Sequence, residues 1–356
     1  MNVRRTIALS AMTLTMGGLG GGATAQPAPD RGPGRLVRIS DGRRIYLDCR
    51  GHGRPTVIFE GVGGGPSVTD MPSQRFVEKF TRVCVYDRAG FGWSDPAPPG
   101  RSFEERVADL HQALRAAHER GPYVLVGSSF GGLLARTYTR LWPKEVVGMV
   151  LVDSAEEGHW FPWMTKAGGE NRQTLRGYAD QARSGAMRHS LEAQLAGPNW
   201  FTPQEKRWLI EGESRPEHWE AAVDEVTAFD RTPPDMRFAG AFGTLGARPL
   251  VVLSHGTPFG GGTAAEGEPA WAAAQDRLAA LSTNKAHVVA AKNSHIIGLE
   301  NPPLVAEAVR TVVQSVRSGF AIDAEPLLAM ASESPVSSSW LSNGPDAAEE
   351  RGRDAR

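Results

Sequence analysis

Val124-Leu125-Val126-Gly127-Ser128-Ser129-Phe130-Gly131-Gly132 is the stretch from which the rest of the chain can be read. A Val-rich apolar run of strand length leads into it, and a helix-compatible run, 133–141, leads out. Between them stands G-x-S-x-G, from Gly127 to Gly131, with Ser129 at its centre. A bare match of this kind is a weak signal, and a Gly/Ser turn can do no more than redirect the chain. Set between a strand and a helix it is a fairly strong signal. The sharp turn lifts the central hydroxyl clear of the sheet, and glycines on either side let neighbouring backbones approach. The helix N-terminus then offers amide N–H groups and a positive dipole end to a developing oxyanion. Ser128 is the neighbouring alternative, but only Ser129 has Gly two residues before and two residues after it.

Further short apolar runs lie at 56–59, 83–86, 123–126, 149–152, 250–253 and 287–290. Most are bounded by Gly, Pro, Asp or Ser, as strands buried on both faces of a parallel sheet are. Before them, Ser40-Asp41-Gly42-Arg43 reads as a hairpin turn between two strand-like segments. Helical patterns alternate with the runs. Ser102 with Glu105 has capping-box spacing, and Val107, Leu110, Ala113, Leu114 and Ala117 follow on one face. Asn301-Pro302 opens another helix, with the stripe Val305, Ala308, Val309, Val312 and Val316. This alternation predicts an α/β fold with crossover connections. Residues 156–235 break the rhythm and read as a mostly helical insertion containing Trp160, Trp163, Trp200, Trp208 and Trp219.

The ends of the chain read differently. Residues 1–25 have a signal-peptide layout: Arg4-Arg5, a weakly apolar stretch, then Ala23-Thr24-Ala25 as a small-x-small cleavage pattern. Arg4-Arg5 before a Gly-rich apolar region also resembles a twin-arginine signal, so a periplasmic or secreted location is expected. Residues 26–34 read as a linker, and 321–356 as a disordered tail. Export would put Cys49 and Cys84 in an oxidising compartment, where pairing becomes possible, but spacing leaves the pairing open. A net charge of −1 gives no electrostatic footprint for nucleic acid. No apolar run reaches the roughly 18–20 residues of a membrane span. No His/Cys/Asp cluster has metal-ligand spacing. The Gly63-Gly64-Gly65 run lacks the spacing and the Lys of a phosphate loop, and no dinucleotide fingerprint is present. No cofactor or metal is therefore expected, and the sequence leaves the oligomeric state open.

Four segments in chain order carry a resemblance to the α/β-hydrolase superfamily. They are Glu60-Gly61-Val62-Gly63-Gly64-Gly65, Tyr86-Asp87-Arg88-Ala89-Gly90-Phe91-Gly92-Trp93-Ser94, the Gly127–Gly131 turn, and Asn293-Ser294-His295 with the helix after it. The resemblance spans 36–317. It implies a mostly parallel eight-stranded sheet flanked by helices, a core of 35–155 and 236–320, and a helical cap at 156–235. It also implies catalysis by serine, histidine and an acid. Asp87, Arg88 and Asp95 take structural loop roles in that family context.

A serine hydroxyl is a poor nucleophile near neutral pH and needs a base. His295 stands at the family position for it, in a short loop after the last strand. The usual acid after the seventh strand is missing, because 249–254 runs into His255-Gly256-Thr257. His255 follows that strand and is read only as a residue that could line the pocket, and His218 is given no role. Asp153, at the end of the sixth strand, is the better candidate, since some family members, certain haloalkane dehalogenases among them, take their acid there. Glu266 or Glu268, and Glu156 or Glu157, remain as alternatives. The resemblance puts the oxyanion donors at the backbone N–H groups of Phe130 and Val62.

The expected function is an exported serine hydrolase acting on a carboxylic ester of a small or medium-sized molecule. Amidase, peptidase, lactonase or thioesterase chemistry uses the same parts. A non-catalytic α/β-hydrolase-like binding protein is the alternative of a different class. Haloalkane dehalogenases and epoxide hydrolases are disfavoured because they need Asp where Ser129 stands.

Overall fold

The computed structural model describes residues 32–238, 240–258 and 264–332. The signal-peptide expectation at 1–25 therefore lies outside the described residues. In chain order the elements begin with β1 (Arg35–Arg38), β2 (Arg44–Arg50), β3 (Thr56–Glu60), α1 (Met71–Val77) and β4 (Val83–Tyr86). Next come α2 (Phe103–Ala116), β5 (Tyr123–Ser128), α3 (Phe130–Leu141) and β6 (Val146–Val152). Four helices follow: α4 (Glu157–Ser184), α5 (Ala186–Gln194), α6 (Pro203–Glu213) and α7 (Pro216–Arg231). The chain continues with β7 (Leu250–His255), α8 (Ala264–Ala279), β8 (Lys285–Ala290), α9 (Ile297–Glu300), α10 (Pro302–Ser318) and α11 (Glu325–Ala331).

One eight-stranded sheet has the order β1-β2-β4-β3-β5-β6-β7-β8. The β2 strand runs antiparallel to both its neighbours, and all the other pairings from β4 to β8 are parallel. Alternate residues of each central strand point to opposite faces, which is the period of extended chain. Ile58, Leu125, Met149, Leu151 and Val252 face a layer containing α2 and α3. Val57, Val124, Val126, Val150 and Val251 face a layer containing α1, α10 and α11. Such strands are buried on both sides, which is why they read as continuous apolar runs. At the sheet edge β8 alternates instead, with Val289 53% exposed.

The start signals act as their chemistry requires. Ser102 and Glu105 form a reciprocal capping box on α2, and Asn301 accepts from Leu304 N–H at the start of α10. Cys49 and Cys84 face each other across β2 and β4 and are joined as a disulfide.

One expectation needs correction. The tail read as disordered from residue 321 carries α11, whose Leu327 and Ala331, four residues apart, are buried in the α10 layer. The segment is too short to show a helical period, so its single turn of apolar contact escaped the pattern. Residues 333–356 lie outside the described residues.

Helices α4 to α7 and their connections meet the core through buried apolar residues, among them Phe229 and Leu209, and through polar contacts. Arg75 bonds Glu205 and the Trp200 carbonyl, Arg106 bonds Asp224, and the Trp200 indole donates to the Glu300 carbonyl at 3.0 Å. Two ion pairs there are almost wholly buried, Arg136 with Glu157 of α4 and Arg88 with Glu225 of α7.

Candidate active site

The turn between β5 and α3 fixes Ser129 in a backbone conformation that side-chain-bearing residues rarely adopt, φ 51° and ψ −118°. Such a residue costs on the order of 1–3 kcal/mol and persists only where its surroundings over-determine it. Here they do. Ser129 N–H donates to Val152 O at 3.0 Å, and its carbonyl accepts from Gly132 and Ala155 N–H groups. A Cβ on Gly127 would meet Gly132 Cα at 2.7 Å, and one on Gly131 would collide with the Glu60 carbonyl. The two glycines are therefore demanded by close packing of the turn against the end of β3. That packing places the loop after β3 beside the serine.

His295 comes from the loop after β8, fixed by Glu300, which accepts from Ser294 N–H and Ser294 Oγ at 2.7 Å each. Asp153 stands one residue beyond β6, also at positive φ (43°), with its N–H bonded to Leu253 O. The three meet in series. His295 Nε2 lies 2.9 Å from Ser129 Oγ, and His295 Nδ1 lies 2.6 Å from Asp153 Oδ2. An ionised carboxylate only accepts, so Nδ1 carries the proton and Nε2 is left to accept from the serine hydroxyl. Burial alone would push the Asp153 carboxyl up. Hydrogen bonds from His255 and His295 outweigh it and hold the group at about 2, so it is ionised at neutral pH.

Asp153 receives more than His295. His255, the last residue of β7, donates its backbone N–H to Oδ1 at 3.1 Å and its Nδ1–H to Oδ2 at 2.6 Å. Trp271 of α8 donates its indole N–H to Oδ1 at 2.9 Å and stands edge-on to the His295 ring at 5.5 Å. On its far side His255 Nε2 meets Glu268 at 2.7 Å. Burial works against a charge on His255, but the two carboxylates prevail and push its pKa up to about 9. The ligand atoms of Asp153, His255 and His295 lie within 4.8 Å of one another, as a metal's ligands would. Two ring N–H groups bonded to one carboxylate oxygen account for that spacing.

The alternative acids are engaged elsewhere. Glu156 caps α4 through His159 N–H and pairs with Arg277. Glu157 forms a buried pair with Arg136. Glu268 reaches the network through His255. Glu266 has no described side chain. His218 is fully buried against Phe91 and Trp219, and burial pushes its pKa down to about 3.

Phe130 is the first residue of α3, where a helix leaves its backbone N–H groups without intrahelical partners. Val62 lies in the loop that packs against it: a Cβ on Gly63 would sit 3.2 Å from Phe130 Cβ. Arg88 holds this loop by the Gly61 and Val62 carbonyls, at 3.2 and 2.7 Å. Glu225 of α7 accepts from Gly64 N–H at 2.9 Å and from Arg88 Nε at 2.5 Å. The loop role read for Arg88 is thus specific: with Glu225 it fixes the backbone next to Ser129. Asp87 accepts from Ser67 and Trp93 N–H groups, and Asp95 pairs with Arg44.

A family model described as the alpha/beta hydrolase fold matches residues 57–209, which include Ser129 and Asp153. The chain has the α/β-hydrolase fold. Among solved α/β-hydrolase-like structures it is similar to an esterase from Thermogutta terrifontis, at 19% identity and TM-score 0.56, over 80% of this chain and 98% of that one. It is also similar to a putative lipase from Acinetobacter baumannii AYE, at 16% identity and TM-score 0.61, over 81% and 92%. In sequence it is 25% identical over 151 residues to the YbdG protein of Bacillus subtilis (strain 168), 42% of this chain and 45% of that protein. The chain spans less than half the length of the curated relatives it matches.

Proposed function

We propose that the protein is an exported serine hydrolase that cleaves a carboxylic ester of a small or medium-sized molecule through an acyl-enzyme. The observation that carries this reading is the series Ser129 Oγ, His295 Nε2, His295 Nδ1, Asp153 Oδ2, with its 2.9 and 2.6 Å links. Ser129 Oγ attacks the ester carbonyl carbon while His295 Nε2 takes its proton, and Asp153 stabilises the imidazolium. The carbonyl oxygen becomes an oxyanion facing the Phe130 and Val62 N–H groups. The C–O bond to the alcohol breaks as His295 returns the proton to the leaving oxygen. Water, deprotonated by His295, then attacks the acyl carbon and frees the acid and Ser129.

An ester is favoured over an amide by the fold's likeness to an esterase and a lipase. Rings run from the turn to the base: Phe130 to Phe229 at 5.7 Å, Phe229 to Trp160 at 6.0 Å, Trp160 to Trp271 at 6.0 Å. Phe130 and Phe229 are buried in the core, so this row packs the insertion against the turn. Export is supported by the Arg4-Arg5 leader pattern and by the disulfide, a bond of oxidising compartments. The test is turnover of p-nitrophenyl esters from acetyl to octanoyl beside matching anilides. Ester hydrolysis by the wild type, abolished in Ser129→Ala, is expected. Turnover surviving in Ser129→Ala contradicts the reading.

A further inference from the structure

His255 occupies a peculiar place. In the sheet order β6, β7, β8, Asp153 leaves the end of β6 and His295 follows the end of β8, so a whole strand separates them. With strands ~4.8 Å apart, the acid must reach across about 10 Å of sheet to meet the base. His255 ends the intervening strand and fills that gap. A carboxylate has about four acceptor positions. Asp153 has all of them taken: His255 N–H and Trp271 Nε1–H on Oδ1, His255 Nδ1–H and His295 Nδ1–H on Oδ2. Half of these donors belong to His255. Its other ring nitrogen is bound to Glu268, on the same helix as Trp271. The ring is therefore a strut with a carboxylate at each end.

Resting on the serine-hydrolase reading, we propose that His255 is a positioning residue. Clamped between Asp153 and Glu268, it holds the Asp153 carboxylate toward His295 and ties α8, with Trp271, to the site. The charged and titratable groups that face its ring are Asp153 at the end of β6, Glu268 on α8 and His295 in the loop after β8. Both nitrogens must donate for the strut to hold, so the ring must keep two protons. Its pKa, pushed up to about 9, keeps it so at neutral pH. Above that value Nε2 loses its proton and turns a lone pair toward Glu268, and the outer end of the strut opens.

The experiment is the rate of fluorophosphonate labelling of Ser129, followed by mass spectrometry from about pH 7 to about pH 10 in the full chain. In the wild type the rate falls through an alkaline limb near 9. His255→Gln keeps a neutral donor that does not titrate. It is expected to label on the order of tenfold more slowly, as residues coupled within one network do, and without that limb. Glu268→Gln, at a partly exposed side chain, is expected to fold and to move the limb below 9. It decides the matter if His255→Gln does not fold. A wild type labelled without a limb near 9, or variants that keep the wild-type rate and limb, would overturn the strut and leave the function intact. A wild type with no adduct on Ser129 would overturn the function, and the strut with it.

Discussion

Ser129, His295 and Asp153 were legible because each leaves a local mark: a G-x-S-x-G turn, a loop after the last strand, an acid at a strand end. Trp271 and Glu225 left none, while His255 was read only as a residue that could line the pocket and Arg88 only as a structural loop residue. They act by touching another side chain or a loop, and the partners are far apart in sequence: Trp271 lies 118 residues from Asp153, and Arg88 lies 137 from Glu225. No spacing rule reaches that far. The same geometry sets the cost of losing the acid. Asn in place of Asp153 offers one accepting oxygen where the carboxylate offers two, so its NH2 group must face N–H donors, and turned to His295 it favours the wrong tautomer. Asp153→Asn is expected to lose about 10⁴ in kcat, measured by initial rates on an aryl ester. A loss of less than tenfold would mean that another group orients His295.

At the level of elements the central strands were readable and their edges were not. The run starting at 149 belongs to β6, which begins three residues earlier at Val146. Gly148 looked like a boundary. It lies inside the strand because α10 packs there, and a Cβ on it would meet Val312 Cγ1 at 2.6 Å. The disulfide between β2 and β4 was undecidable for the same kind of reason, since register is a property of the folded sheet. It closes a loop across a separation of 35 residues. Chain-entropy arguments give about 4 kcal/mol for a loop of that size. The double variant Cys49→Ser/Cys84→Ser should lose about 2–4 kcal/mol in urea denaturation, and no loss would mean that the bond contributes nothing to the folded state. The contact of α7 with the loop beside Ser129 has a sharper consequence. Removing Glu225 leaves Arg88 buried without its counter-charge and frees Gly64. Glu225→Ala is expected to cost about 3–5 kcal/mol in urea denaturation and to lower kcat more than it changes KM. A fall in stability with kcat untouched would confine Glu225 to holding the helix.

For the whole molecule, pH acts through buried carboxyls as well as through the site. Glu60 is wholly buried beneath the loop. Burial pushes its pKa from 4.5 up to about 7, with Arg88 and the Tyr86 hydroxyl pulling the other way. A carboxyl raised in the folded state holds a proton that the unfolded chain has released. Its contribution is therefore full below 4.5 and is lost as pH rises through about 7. Glu60→Gln, which keeps an acceptor for Tyr86, should lose less stability than the wild type between about pH 5 and about pH 7.5. Equal losses would show that Glu60 does not titrate in that window. The overall architecture follows from a sheet whose alternate residues bury two helical layers, and that arrangement was visible in the runs and stripes of the chain. The insertion was visible only as an interruption, because its helices meet the core through a few apolar residues such as Phe229 and Leu209 and through scattered polar pairs such as Arg106 with Asp224.

The central claim is that Ser129 is made nucleophilic by His295, and adduct mapping tests it most directly. Treatment of the wild type and of His295→Ala with a fluorophosphonate at neutral pH, followed by peptide mass spectrometry, should place one phosphonyl group on Ser129 in the wild type and none in the variant. An adduct on Ser128 or another residue, or equal labelling of Ser129 without His295, would contradict the account.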